Sequence, residues 1–311
     1  MGIKSKFDKL CQYIVNPDMR FYYDAKKGKY MDEPDGVYLR RMYKALMGKE
    51  LNLEQPITFN EKLQWLKIHN RKPEYPMMVD KYEAKQYVTS LIGEKYIIPT
   101  YGVWNKFEDI SFKELPNRFV LKCTHDSGGL VICKDKSTLK FSDARKKIEK
   151  SLKFDFYSFG REWPYKNVKP RIIAEQYMED ETNKGGLTDY KIHCFNGEPK
   201  VIQVISDRFS HDGMINDHYY PTWEKLDLVR GHHATSNKSI PRPNEMDEML
   251  GLAKTLSVGI PYLRTDFYIV NHQIYFGELT FFPASGFNPF HPEKWDYVWG
   301  DWIKLPTDGN T

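Results

Sequence analysis

The spacing of apolar residues changes once along the chain, near residue 95, and the change separates two kinds of structure. Before it, apolar residues recur every three or four positions in 36–47 (GVYLRRMYKALM), 60–69 (NEKLQWLKIH) and 78–92 (MVDKYEAKQYVTSLI), and each pattern predicts a helix. Thr58 and Glu61 supply a capping box for the second. From Tyr96 the runs shorten and fill with β-branched and aromatic residues: FVLKC, LVICK, RIIAEQYM, YKIHCF and KVIQVI. These predict strands, interrupted by helices at 142–152 and at 246–257, with Asn244 as the cap of the latter. The expectation is an α+β fold with mostly antiparallel strands and no internal repeat. A further stripe at 4–15 (Phe7, Leu10, Cys11, Ile14, Val15) predicts a helix docked on its own domain, with a membrane-surface anchor as the alternative.

Two predicted hairpins carry polar residues on one face. In 262–270, Tyr262, Arg264, Asp266 and Tyr268 alternate with Leu263, Thr265, Phe267 and Ile269. In the run that follows, Ile274, Phe276, Glu278 and Thr280 share a face. A three-residue loop, Asn271-His272-Gln273, sets Val270 opposite Ile274, Asp266 opposite Glu278 and Arg264 opposite Thr280, whereas a two-residue loop sends the carboxylates to opposite faces. The longer loop is the one expected. Neighbouring carboxylates repel unless a cation lies between them, and Mg2+ takes one or two carboxylates plus phosphate oxygens, so a magnesium nucleotide fits this pattern. Two solvent-facing strand carboxylates fit it equally. In 188–208, Asn196-Gly197 predicts a two-residue turn pairing Phe195 with Glu198. That pairing sets Lys191 opposite Ile202 and puts Lys191, Ile202, Val204, Ser206 and Arg208 on one face, two cations that either serve a site or simply face solvent.

Two other segments carry candidate chemistry. Ser127, Gly128 and Gly129 follow the strand holding Lys122, an arrangement in which backbone amides approach phosphate oxygens, or an ordinary glycine hairpin. The strand 172–178 ends in Glu175, Gln176, Tyr177 and Met178, whose backbone could meet an adenine edge or could simply end a sheet. Neither a P-loop nor a dinucleotide fingerprint occurs. His232 and His233 have no carboxylate or cysteine at ligand spacing and read as loop residues.

Composition narrows the partners. With 46 basic and 42 acidic residues the formal charge is +4, and the absence of a long basic block argues against nucleic acid. The 21 Tyr, 18 Phe and 7 Trp are enough to line a sugar or base site, although most rings belong in the core. Four cysteines without metal-ligand spacing, no apolar signal core and no run long enough to span a bilayer predict a cytoplasmic protein with reduced thiols. No Asp-x-Asp motif is present to support a nucleotide-sugar site.

In order, PITFNEKLQWLKIH (56–69), DKYEAKQYV (80–88), FVLKCTHDSGG (119–129), PRIIAEQYM (170–178), DYKIHCFNGEPKVI (189–202) and LRTDFYIVNHQIYFGELTFFPASGF (263–287) resemble the ATP-grasp superfamily, and within it the TupA-like group associated with cell-surface polymers. The resemblance implies ATP clasped between two α+β subdomains, 96–170 and 171–305, behind a helical region at 1–95 and ahead of a disordered tail at 306–311. It implies Lys122, the glycine loop, Glu175–Met178, Asp189 and Lys191 as nucleotide-binding residues, with Asp189 on the ribose. Asp266 and Glu278 match magnesium ligands. Thr280 stands where many of these enzymes carry Asn. Lys191 and Arg208 resemble the cations placed on the phosphates and on the transferring group, and Arg264 matches the arginine that meets the acyl-phosphate and its tetrahedral successor.

The activity implied is a carboxylate–amine ligase that passes through an acyl-phosphate and joins an amino acid or other amine to a uronic-acid carboxylate of a capsule or wall polymer or its precursor. Peripheral association with the membrane stays open. A surface-polysaccharide glycosyltransferase and a non-catalytic nucleotide or carbohydrate binder are the competing readings.

Overall fold

The computed structural model describes residues 11–180, 186–206, 214–230, 235–236 and 240–306. Arg208, His232, His233, the tail from 307 and most of the predicted first helix lie outside the described residues; 11–15 are helical.

Helices come first: α1 (Pro17–Ala25), α2 (Asp35–Met47), α3 (Phe59–His69), α4 (Tyr75–Val79) and α5 (Glu83–Ile92). α3 begins at the predicted capping box, with the Glu61 amide donating to Thr58 Oγ1 and the Thr58 amide donating to Glu61 Oε2. The single helix expected over 78–92 is two. Asp80 breaks it by turning its carboxylate onto the amides of Tyr82 (2.8 Å) and Glu83 (2.9 Å), a local cap that competes with helix continuation.

Two antiparallel sheets follow. The smaller has the order β1-β4-β2-β3, from β1 (Thr100–Trp104), β2 (Phe119–Cys123), β3 (Leu130–Cys133) and β4 (Ile172–Gln176). α6 (Phe141–Leu152) packs on β2 and β3 and closes a core around Phe119, Leu121, Ile148 and Ile172. The boundary expected between 170 and 171 does not separate the sheets, because β4 pairs with both β1 and β2. α7 (Phe156–Gly160) lies between α6 and β4 in sequence.

The larger sheet has the order β10-β9-β5-β6-β7, from β5 (Asp189–Phe195), β6 (Glu198–Ser206), β7 (Ile215–Tyr219), β9 (Tyr262–Val270) and β10 (Gln273–Thr280). β8 (Val229–Arg230) pairs with β11 (Phe290–His291). α8 (Met246–Leu256) packs against β5, β6 and β9, burying Met249, Ala253, Leu263 and Phe267. It starts after Glu245 with no side-chain cap, so Asn244 does not play the expected part. α9 (Lys294–Trp302) crosses α3. Phe59 of α3 meets Phe195, Tyr262, Phe290 and Trp299 within 6.2 Å, mostly edge to face, which locks the helical region onto the larger sheet.

Candidate active site

β9 and β10 hold the acidic residues. Their turn has two residues, Asn271 (φ 48°) and His272 (φ 63°), not the expected three; paired positive φ is the geometry that matches strand twist in short hairpins. Val270 therefore pairs with Gln273, and Ile269 with Ile274. On an unbroken ladder that register would separate the two carboxylates by a face. A bulge between Phe276 and Glu278 reverses the effect, so Asp266 faces Glu278 and Arg264 faces Thr280 as expected. The extra residue is Gly277. A Cβ there would lie 3.0 Å from Tyr268 Cε2 and 3.1 Å from the Asp266 carbonyl oxygen, so a larger residue would crowd the bulge and glycine fits it.

β5 adds Lys191 opposite Asp266. The Asn196-Gly197 turn pairs Phe195 with Glu198 as expected, but a second bulge sets Lys191 opposite Gln203 rather than Ile202. The reason is burial: this register pairs Ile192 with Ile202, both fully buried in the core, and leaves the polar pair on the other face.

The side chains interlock. Arg264 Nε donates to Asp266 Oδ1 (2.6 Å), and its Nη2 donates to Asp266 Oδ2 (2.8 Å) and Glu278 Oε1 (2.7 Å). Lys191 Nζ donates to Asp266 Oδ2 and lies 3.8 Å from Asp189 Oδ1. Asp266 is 1% exposed, while 42% of the Glu278 side chain remains open to the cleft. Burial pushes the Asp266 carboxyl up, against the pull of Arg264 and Lys191. Burial acts the same way on Glu278, but Arg264, Lys191 and Lys81 outweigh it and hold that carboxyl at about 2. The donor set available to a divalent cation is thus Asp266, Glu278 and the Thr280 hydroxyl, which donates to Glu278 Oε1 at 3.4 Å. Two carboxylates and a hydroxyl suit a hard ion that takes its remaining ligands from phosphate and water. Among the described residues there is no cluster of three or more His, Cys, Asp or Glu placed to hold a metal ion.

Facing these strands is the loop after β2. Ser127 lines the same cleft of about 480 Å³ as Lys81, Arg264, Glu278 and Thr280. Ser127 and Gly128 are exposed there, whereas Gly129 is buried: its amide donates to Asp126 Oδ1, and a Cβ would come within 2.5 Å of Ser151 Oγ and Cys123 Sγ. The phosphate-facing amide expected of Gly129 is already committed.

Lys122 does not point at open space either. It pairs with Glu175 Oε2 at 2.5 Å, and Lys85 pairs with Oε1 at 2.5 Å. Burial raises the Glu175 carboxyl, but the two ammonium groups override it and bring it down to about 2. So Glu175 acts through its side chain on two lysines, rather than through its backbone alone. Gln176, Tyr177 and Met178 line a separate cleft of about 550 Å³ beside the β9–β10 turn, where Arg118 stacks on Tyr177 at 4.4 Å.

Lys81, Lys85 and Glu162 were missed by the motif reading. Lys81 and Lys85 stand four apart in DKYEAKQYV, so one turn spacing was the available signal. Glu162, in the cleft with Arg264 and Glu278, carries no such signal.

Several solved structures are similar to this one. D-alanine–D-alanine ligase from Bacillus anthracis, complexed with ATP, is 17% identical with a TM-score of 0.39; 66% of this chain aligns with 53% of that one. The corresponding ligase from Helicobacter pylori is 15% identical over 80% of this chain and 69% of that one, TM-score 0.41. The ATP-grasp ligase PsnB, complexed with a minimal precursor, Mg and ADP, is 11% identical over 84% and 66%, TM-score 0.38. The chain thus spans about half the length of the first of these. No curated protein matches the sequence. The family model for TupA-like ATP-grasp proteins matches residues 61–304, well over half of the chain, and the protein belongs to that family.

Proposed function

We propose that the protein is an ATP-dependent ligase that activates a carboxylate as an acyl-phosphate and joins it to an amine, the carboxylate being a uronic acid of a surface polysaccharide or its precursor and the amine an amino acid. One observation carries the chemistry: Arg264, Asp266, Glu278 and Lys191, from three adjacent strands, form a single charge cluster, and Arg264 and Glu278 line a cleft shared with Lys81 and Ser127. The sugar half of the reading rests on the TupA-like resemblance.

In this reading the nucleotide lies between the two sheets, its phosphates toward Lys81, Lys85, Lys122 and Lys191. Glu175 keeps two of those lysines aligned until the phosphates compete for them. Asp189, beside Lys191, takes the ribose, and Gln176 to Met178 border the base. Mg2+ held by Asp266, Glu278 and Thr280 would offset charge between phosphate oxygens and carboxylates. Arg264 stays anchored on both acids while its guanidinium stabilises the negative charge developing on the acyl oxygen. Arg208, outside the described residues, keeps the cationic role implied by the resemblance. The Ser127–Gly128 loop covers the intermediate and excludes water. Four free cysteines suit a reducing, cytoplasmic setting.

The test is thermal unfolding with Mg-ATP, Mg-ADP, UDP and UDP-sugars side by side. An adenine nucleotide at about a hundred times its dissociation constant adds about 2.7 kcal/mol, and the gain should require Mg2+. ADP release is then screened over uronic acids paired with amino acids. Protection by UDP compounds alone, or by none of the four, refutes the ligase.

A further inference from the structure

The loop after β10 is bent in a way its sequence alone would not choose. Ala284 (φ 50°) and Ser285 (φ 53°) are both left-handed although neither is glycine, a conformation that surrounding structure must hold in place. α3 holds it: Gln64 Nε2 donates to the carbonyls of Ser285 (3.1 Å) and Gly286 (2.9 Å), and Lys67 Nζ donates to Ser285 O (2.8 Å). Lys67 is fully buried, and its other two donor sites go to Gln64 Oε1 (2.8 Å) and Gly160 O (2.7 Å). Its three hydrogen bonds are therefore spent on neutral acceptors.

The product of this arrangement is Glu162. It is 4% exposed and lines the same 480 Å³ cleft as Arg264 and Glu278. One carboxylate oxygen, Oε1, accepts from the Ser285 hydroxyl. The other has no hydrogen-bonded protein partner among the described residues, and the nearby ammonium of Lys67 does not bond it. Around it the cleft wall is aromatic, with Tyr22, Phe159, Tyr165 and Phe282, and Lys26 lies at the Tyr22 ring, 4.3 Å from its centroid. A buried acid at one part of an aromatic cleft and a lysine at another match a zwitterion with an apolar body. The charge cluster that would hold the acyl-phosphate opens into the same space.

We propose that this cleft is the amine-substrate site and that Glu162 receives the ammonium group of an amino acid and accepts a proton from it. This rests on the ligase reading and names its second substrate site. As the amide forms, one ammonium proton passes to the Glu162 carboxylate and the freed nitrogen lone pair attacks the acyl carbon. The carbon–oxygen bond to phosphate then breaks, and the second nitrogen proton leaves with the phosphate. Burial pushes the Glu162 carboxyl above the ordinary carboxylate range, against the pull of Lys67, Ser285 and Arg264 and with the help of Glu278, which makes it the better base. Tyr165 is pushed well above its usual value by burial and stays a neutral phenol beside it.

The experiment measures binding of the twenty amino acids to the full chain in the presence of Mg-ADP by calorimetry, for wild type and Glu162→Gln, alongside Mg-ATP protection in thermal unfolding. At least one amino acid should bind the wild type, and the variant should bind it at least about tenfold more weakly, the scale of a lost charge-assisted hydrogen bond. With a turning-over carboxylate, hydroxylamine replaces the amino acid as a nucleophile that is mostly unprotonated at pH 7. Glu162→Gln should then lose amide formation about 100-fold at pH 7, with recovery toward pH 9, and should lose clearly less of its hydroxamate formation. Ser285→Ala, which removes only the hydroxyl donated to Glu162, is the second variant, and it should move the acid limb of the amine profile to higher pH. Mg-ATP protection without amino-acid binding overturns this inference and leaves the ligase standing, as does equal binding by wild type and Glu162→Gln. Absence of Mg-ATP protection overturns the ligase itself.

Discussion

Glu175→Gln should cost the fold about 3 kcal/mol at pH 7. The carboxylate lies on β4 between Lys85 and Lys122, at 2.5 Å from each, and the side chain is only 5% exposed. Its folded value of about 2, against 4.5 ordinarily, corresponds to about 3 kcal/mol at roughly 1.4 kcal/mol per pH unit. Removing one member of a buried ion cluster gives an independent figure of about 3–5 kcal/mol, because the partner charges are left behind. The lower end applies here, since a quarter of the Lys122 side chain is exposed and can turn to water. The sign with pH follows from linkage. A depressed carboxyl stabilises fully above its unfolded value and loses that contribution as pH falls through the folded one, so the difference between wild type and Glu175→Gln should shrink between about pH 5 and pH 2. Urea unfolding of both proteins at pH 7, 5, 4 and 3 measures it. A difference below about 1 kcal/mol at pH 7, or one that stays constant down to pH 3, refutes the assignment of Glu175 as the counter-charge of two lysines.

Other expectations follow from the same geometry. Asp266→Asn should abolish ADP release, by about 1,000-fold or more, while the chain still unfolds cooperatively; wild-type turnover from this variant would remove the metal assignment. Gly277→Ala inserts a methyl group 3.0 Å from the Tyr268 ring. It should lower stability by about 1–3 kcal/mol in urea and weaken Mg-ATP protection with it, because the bulge sets the Asp266–Glu278 pairing. Protection that survives unchanged would separate the bulge from the site. Thr58→Ala removes the capping box of α3 and should cost about 1 kcal/mol by urea unfolding, with ADP release unchanged.

Periodicity was sufficient for most elements. A helix at 36–47, a capped helix starting near Thr58, the strands around Lys122 and Lys191 and the acidic hairpin all follow from three- or two-residue spacing and a few turn residues, which are local properties. Spacing also put Arg264, Asp266, Glu278 and Thr280 together, although through a loop length that the structure replaces. The bulges do not follow from spacing, since an inserted residue satisfies packing of the whole ladder, and only Gly277 inside its strand is a local sign of one. At β9–β10 the short turn and the bulge cancel; at β5–β6 the bulge keeps Ile202 in the core and moves Gln203 beside Lys191.

By itself the sequence determined the kinds of element, the alternation that segregates charged from apolar faces, and the residue types able to hold phosphate and a divalent ion. Tertiary structure decided the partners. Glu175 became the anchor of Lys85 and Lys122, and α3 reached across more than two hundred residues to hold the 283–286 loop that bonds Glu162. Such contacts join residues with no fixed separation in sequence. They depend on how helices and sheets dock, and docking minimises exposed apolar area and unpaired polar groups over the whole molecule at once.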